Sequence, residues 1–150
     1  MSILIPRRLL GWASVSTSEP PPPTGDDRSW LTRLGYAEWM AAALAELDQA
    51  YLQLRARHHR EGLTHARRAA GMGLNALLCV DFDAAYGRSY LEHLGALAAD
   101  ARATDDTRAA ARRLLDAPAR PELVTLGQGP VDLAEAAKRV LVWVADRLPP

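Results

Sequence analysis

The sequence predicts an all-α fold, an antiparallel four-helix bundle with one extra short helix, and three observations carry that expectation. Alanine and leucine dominate a chain of 150 residues that holds a single phenylalanine, a composition suited to closely packed helices. After Trp30, apolar residues recur at intervals of three and four rather than two. Breaks at Gly62 and at Pro118 and Pro121 divide the pattern into helix-length segments, and nothing suggests a sheet.

The beginning of the chain stands apart. "MSILIPRRLLGW" is interrupted by Pro6, Arg7 and Arg8, which leaves no continuous apolar run for a signal peptide or a membrane span. A protein that is not exported, cytoplasmic and without a membrane partner is therefore expected. Residues 13–29 include Pro20 to Pro23 and read as an extended linker. Residues 1–29 are expected to form a proline-rich N-terminal tail whose apolar dozen docks on a partner or packs back, and residues 30–150 the bundle.

Each helix has its own signature. Ala37, Met40, Leu44, Leu47, Tyr51 and Leu54 form the expected buried stripe of the first long helix, with the next break near Gly62. A second face carries Leu63, Ala66, Ala70, Gly73, Leu74 and Leu77, whose small members let another backbone approach. Gly71 and Gly73 are read there as helix contacts, because no strand precedes them to build a phosphate loop. Tyr90, Leu94, Leu97 and Ala98 mark a third helix, and residues 107–115 a shorter one. The last long helix is expected to open at "DLAE", Asp132 capping and Glu135 reaching back, and to bury Leu133, Ala137, Val140, Leu141, Val144 and Leu148.

The run from "WLTRLGYAEWM" through "EGLTHARRAAGMGLNALL" and "YLEHLGAL" to a final "AEAAKRVLVWVADRL" resembles the HEPN superfamily of small helical bundles. Residues 61–78 carry the likeness best, with the alanines and trailing leucines of that family's second helix. The resemblance implies a homo-oligomer, often a dimer, and an association with a nucleotidyltransferase or other protein in toxin–antitoxin or defence systems. It also implies one of two functions, a metal-independent ribonuclease or a non-catalytic binding module.

The ribonucleases of that family carry an arginine and a histidine four to six residues apart. Here Arg88 and His93 in "GRSYLEHL" fit that spacing. In such chemistry the histidine moves protons at the 2′-hydroxyl or the leaving oxygen, while the arginine binds the phosphate and stabilises its added negative charge. Arg88 and His93 are the candidate catalytic pair. With seventeen arginines and four histidines, roughly 1.4 such matches arise by chance. Two occur, the second being Arg60 with His65. In the family the motif lies late and leads into the last helix, whereas residues 116–132 contain no histidine. The same stretch also has an ordinary explanation. Ser89 with Glu92 is a capping box, and Gly87 suits the chain reversal before it. If Arg88 precedes the cap, its guanidinium can turn toward a phosphate at the positive helix end.

Eighteen basic and eighteen acidic residues cancel, which excludes the global field of a protein that coats nucleic acid or an anionic membrane. Charge is nonetheless uneven: residues 55–68 hold five arginines and three histidines against one glutamate, and residues 81–106 hold six acids against two arginines. Arg57, Arg60, Arg67 and Arg68 are the candidate contacts to a phosphate, an RNA backbone or an acidic partner. A solvated helix junction balanced by the acidic segment is the competing explanation. No aromatic interleaves the basic run, so base stacking has no support. Cys79 is expected to be a buried, reduced thiol. It has no second thiol for zinc, and no Glu-x-x-His pair exists, so neither a metal nor a cofactor is expected. The favoured function is a non-catalytic module that dimerises or binds a protein, nucleotide or RNA. A ribonuclease and a structural subunit of a larger assembly are the alternatives.

Overall fold

The computed structural model describes residues 28–119 and 129–150, and every regular element among them is helical. In chain order these are α1 (Ser29–Thr32), α2 (Tyr36–Arg55), α3 (His59–Val80), a 3-10 turn (Ala84–Tyr86), α4 (Tyr90–Ala98), α5 (Asp105–Asp116) and α6 (Asp132–Ala145). The expected tail, residues 1–27 of it, and the connection over residues 120–128 lie outside the described residues. Arg28 and Ser29, on the tail side of the expected boundary, belong to the packed structure: Arg28 stacks on Phe82, and Leu31 in α1 is 1% exposed. The one-turn α1 has no periodicity for a sequence to display. Its Leu31 carbonyl accepts a 2.7 Å hydrogen bond from the buried Trp39 indole, which fixes where α2 starts.

α2 and α3 make the largest helix pair, joined by a three-residue reversal. The Arg57 N–H donates to the Leu54 carbonyl at 3.1 Å and the His58 N–H to the Gln53 carbonyl at 2.9 Å. Those two bonds close a Schellman motif, with Arg57 at φ 67° where a glycine usually sits. The break expected near Gly62 therefore falls several residues earlier. Gly62 lies in the first turn of α3, pressed so closely against Leu54 that a Cβ would overlap it.

The remaining directions follow from contacts. The Tyr51 hydroxyl in the last turns of α2 donates to Glu135 near the start of α6. Leu141 covers Gly73 of α3, and further on Trp143 and Arg147 lie beside Leu77 and Leu78. So α6 runs parallel to α3 and antiparallel to α2. Ion pairs Arg113–Asp132 and Arg139–Asp106 (3.6 Å) align α5 antiparallel to α6, and α4 packs on α3 and α5. Leu74, Leu94, Leu97, Leu114 and Val140 form the closed centre of this all-helical core.

Two expectations need correction. The α2 stripe is turned: Trp39, Ala43, Leu47, Ala50 and Leu54 are buried, while Ala37 and Leu44 are exposed and Met40 and Tyr51 half-buried. An alanine-rich helix offers several stripes at the same spacing, and the tryptophan that the expectation omitted decides which one is inside. The start of α6 also differs. Val131 is the N-cap and no side chain caps it, because Asp132 is drawn to Arg113 and Glu135 accepts from Tyr51. The α3 and α6 stripes match the expectation, apart from half-buried Leu77 and Leu148. The α4 box is present as well, with Glu92 N–H to Ser89 Oγ at 3.0 Å and Ser89 N–H to Glu92 Oε1 at 2.9 Å. Gly87 before it takes φ 66°, a conformation that side chains resist. No described helix is long and apolar enough to cross a membrane.

Candidate functional site

α4 starts at Tyr90, so His93 occupies its first turn beside Leu94 and one turn before Leu97, and all three are buried. This rotation decides where the imidazole goes. His93 is 0% exposed, with Nδ1 2.7 Å from the Tyr86 carbonyl and Nε2 2.7 Å from the side-chain carboxamide of Asn75 in α3. The rings of Trp30, Tyr86 and Tyr90 lie around it at centroid distances of 6.1, 6.4 and 6.3 Å. Burial lowers the pKa of His93 below the usual imidazole value, against opposing contributions from the Tyr86 carbonyl and Glu92. The neutral ring has one N–H to give. A backbone carbonyl can only accept, so Nδ1–H donates to Tyr86; the Asn75 atom facing Nε2 is Oδ1, and a half-turn of that amide, which leaves its outline unchanged, would present an N–H to the ring instead.

Arg88 lies ahead of the cap, exposed, with its guanidinium 5.8 Å from the Trp30 ring centroid. Both members of the candidate pair are thus neighbours of one indole, yet only the arginine faces solvent. The Arg88 and Ser89 N–H groups both donate to Glu92, which holds that carboxyl below its ordinary pKa and places a negative charge at the α4 start. A phosphate approaching this helix end meets that charge first. In this arrangement neither His93 nitrogen reaches a surface from which it could take a ribose proton.

The basic residues of the helix junction do not act as one group. Arg67 turns into the protein, donating from Nε to the Leu114 carbonyl at 2.8 Å and from Nη2 to the Leu115 carbonyl at 3.1 Å. It ties down the C-terminal carbonyls of α5. Arg68 pairs with Glu46 at 3.3 Å, and the same carboxylate meets His65 Nδ1 at 2.7 Å. His59 bonds the Pro118 carbonyl. Arg57 and Arg60 are exposed. The acidic segment likewise satisfies itself, since Arg102 bridges Asp100 and Asp83, and its hydrogen bonds hold the Asp100 carboxyl far below the usual range. Burial and the Asp100 hydrogen bond push the Tyr86 phenol up.

Cys79 is half-buried rather than buried, with Sγ near the Leu31 and Leu34 carbonyls, and burial raises its pKa. Among the described residues, no cluster of three His, Cys, Asp or Glu side chains could hold a metal. Reasoning on the sequence missed Asn75, Tyr86 and Trp30 as partners of His93. The available signal was a lone asparagine on the otherwise apolar face of α3, which a buried histidine one helix away can satisfy. No protein-family model, curated protein or solved structure matches this chain.

Proposed function

We propose that the protein is a non-catalytic, HEPN-like helical interaction module that pairs with a second copy of itself through the outer face of α2 and α6. One observation carries the reading. Leu44 and Val142 are 48% and 54% exposed, and each lies seven residues from the Tyr51–Glu135 contact between antiparallel helices, so the two stand at one height on neighbouring helices, Val142 also edging the α5/α6 cavity beside Asp106 and Ala109. Exposed Ala37 and Ala41 extend the apolar surface from Leu44 toward the start of α2, while the exposed carboxylate of Asp48 separates Leu44 from Leu52. Covering such side chains yields about 25 cal/mol per Å² of apolar area, which a flat helix face recovers most directly against its own symmetry mate. The closed environment of His93 supports the non-catalytic half of the proposal. By its resemblance, such a module would serve beside a nucleotidyltransferase or another protein partner in a toxin–antitoxin or defence system.

Light scattering on the eluting protein tests the pairing. The expected mass is twice the 16.3 kDa of the chain, falling to the monomer in Leu44→Asp/Val142→Asp with helical circular dichroism retained. A monomeric wild type rejects this face as an interface. Mixed RNA incubated with wild type, His93→Ala and Arg88→Ala tests the other half. Equal cleavage or none agrees with a binding module. Cleavage abolished by the exposed-residue change Arg88→Ala, with the fold intact, transfers the protein to the ribonuclease class.

A further inference from the structure

We infer that the second copy lies antiparallel to the first, α6 against α6 about a two-fold axis level with Val142, so that Lys138 of each protomer pairs with Asp146 of the other. This rests on the reading that α2 and α6 form a self-pairing face, and it gives that face an orientation and a register. Lys138, Val142 and Asp146 are all exposed, and Asp146, the C-cap residue, keeps helical angles at φ −65° and ψ −16°. The lysine and the aspartate therefore lie one turn to either side of the valine, each about 6 Å away along the axis and about 40° around it, in opposite senses. A positive charge, an apolar side chain and a negative charge follow one another along a single ridge.

Such an order is complementary to its own reverse. In an isologous contact residue i meets j and j meets i, so a two-fold perpendicular to α6 at Val142 sets each position against the one equally far beyond the valine. Lys138 then faces Asp146, Arg139 faces Ala145, and the two valines meet on the axis. Leu44 stands at the same height on α2, so the same axis brings it to its own copy and sets Asp48 against Met40. Within these two helices no like charges are opposed. A parallel partner would place lysine on lysine and aspartate on aspartate, which disfavours that pairing wherever the contact excludes water.

The free protomer points the same way. Neither Lys138 nor Asp146 makes a side-chain hydrogen bond or an ion pair among the described residues, whereas their neighbours Glu135, Arg139 and Arg147 are engaged with Tyr51, Asp106 and the Trp143 carbonyl. About 12 Å apart along the helix, the lysine and the aspartate cannot reach each other within one chain. Asp146 also stands where the carbonyl groups end α6, and the helix dipole disfavours an acid there until a cation approaches it.

Reversing these exposed charges is the test, read as the dimer dissociation constant from light scattering over a dilution series of the full chain, with circular dichroism confirming the helical fold. Lys138→Glu sets acid against acid at both contacts, and Asp146→Lys sets base against base. Each variant alone should dimerise about tenfold more weakly than the wild type. Mixed one to one, the two variants should form a heterodimer within about threefold of wild-type affinity, because both contacts are then oppositely charged. The double variant Lys138→Glu/Asp146→Lys should recover to the same extent. Wild-type dimers that the single reversals leave unchanged, or single variants that neither mixing nor the double reversal rescues, overturn the antiparallel register while the self-pairing face itself stands. A wild type that is monomeric at every concentration overturns both.

Discussion

Arg57 shows how a single residue can be held against its own preference. At φ 67° an L-residue gives up about 1–2 kcal/mol, and the two Schellman hydrogen bonds keep it there. Glycine removes that strain but leaves a more mobile unfolded chain, which returns about 0.5–1 kcal/mol. Arg57→Gly should therefore raise stability by about 0.5–1 kcal/mol, seen as a higher urea midpoint at unchanged slope. A lower midpoint would mean that the arginine side chain contributes more than its backbone costs. The sequence pointed to Gly62 for the break because glycine is a weak helix former; here the tight approach to Leu54 needs the glycine and the arginine makes the turn. His93 has a similar lesson. Its cap was legible from Ser89 and Glu92, but its inward direction depends on Asn75 and Tyr86, which spacing along one helix cannot bring to it.

Among the helices, the buried faces of α3 and α6 were legible in the sequence, each anchored by leucines, and that of α2 was not. α6 is fixed by Leu133, Val140, Leu141 and Val144, and the structure buries that face. α2 contains an alanine on every side, so its orientation depends on Trp39 and on the level at which α6 crosses it. Small residues also decide how closely helices approach, and two glycines separate that effect from helix propensity. A Cβ on Gly71 in α3 would stand 2.6 Å from the Tyr90 Cβ and closer still to its ring, whereas nothing lies within 4 Å of one on Gly95 in α4. Alanine gains about 1 kcal/mol over glycine inside a helix. At Gly71 the overlap costs about 1–3 kcal/mol and wins. Thermal unfolding should show Gly71→Ala lowered, by a net of about 1 kcal/mol, and Gly95→Ala raised by about 0.5–1 kcal/mol. Two stabilised variants would mean that α4 can slide off α3 without loss.

At the scale of the whole molecule, the balanced net charge conceals groups whose protonation is tied to folding. His93 has a lowered pKa in the native protein because the core disfavours the imidazolium. Above about pH 6.5 the ring is neutral in both states and costs nothing. As pH falls below that value the unfolded chain binds a proton that the native chain refuses, so stability drops by up to ~1.4 kcal/mol per pH unit until the native pKa is reached. Asp100 behaves differently, because Arg102 depresses its carboxyl. Its contribution is present above about pH 3.9 and disappears as pH falls further. Acid unfolding should therefore begin with a step that belongs to the core histidine and continue with one that belongs to the Asp100–Arg102 bridge. His93→Gln keeps a donor for the Tyr86 carbonyl but cannot titrate. Comparing its urea midpoints with those of the wild type from pH 8 to 4.5 cancels every group common to both. The variant should be less stable at pH 8, and the gap should close as pH falls through 6.5. A gap constant with pH would mean that His93 is protonated equally in the two states, which requires water to reach a ring that the core encloses.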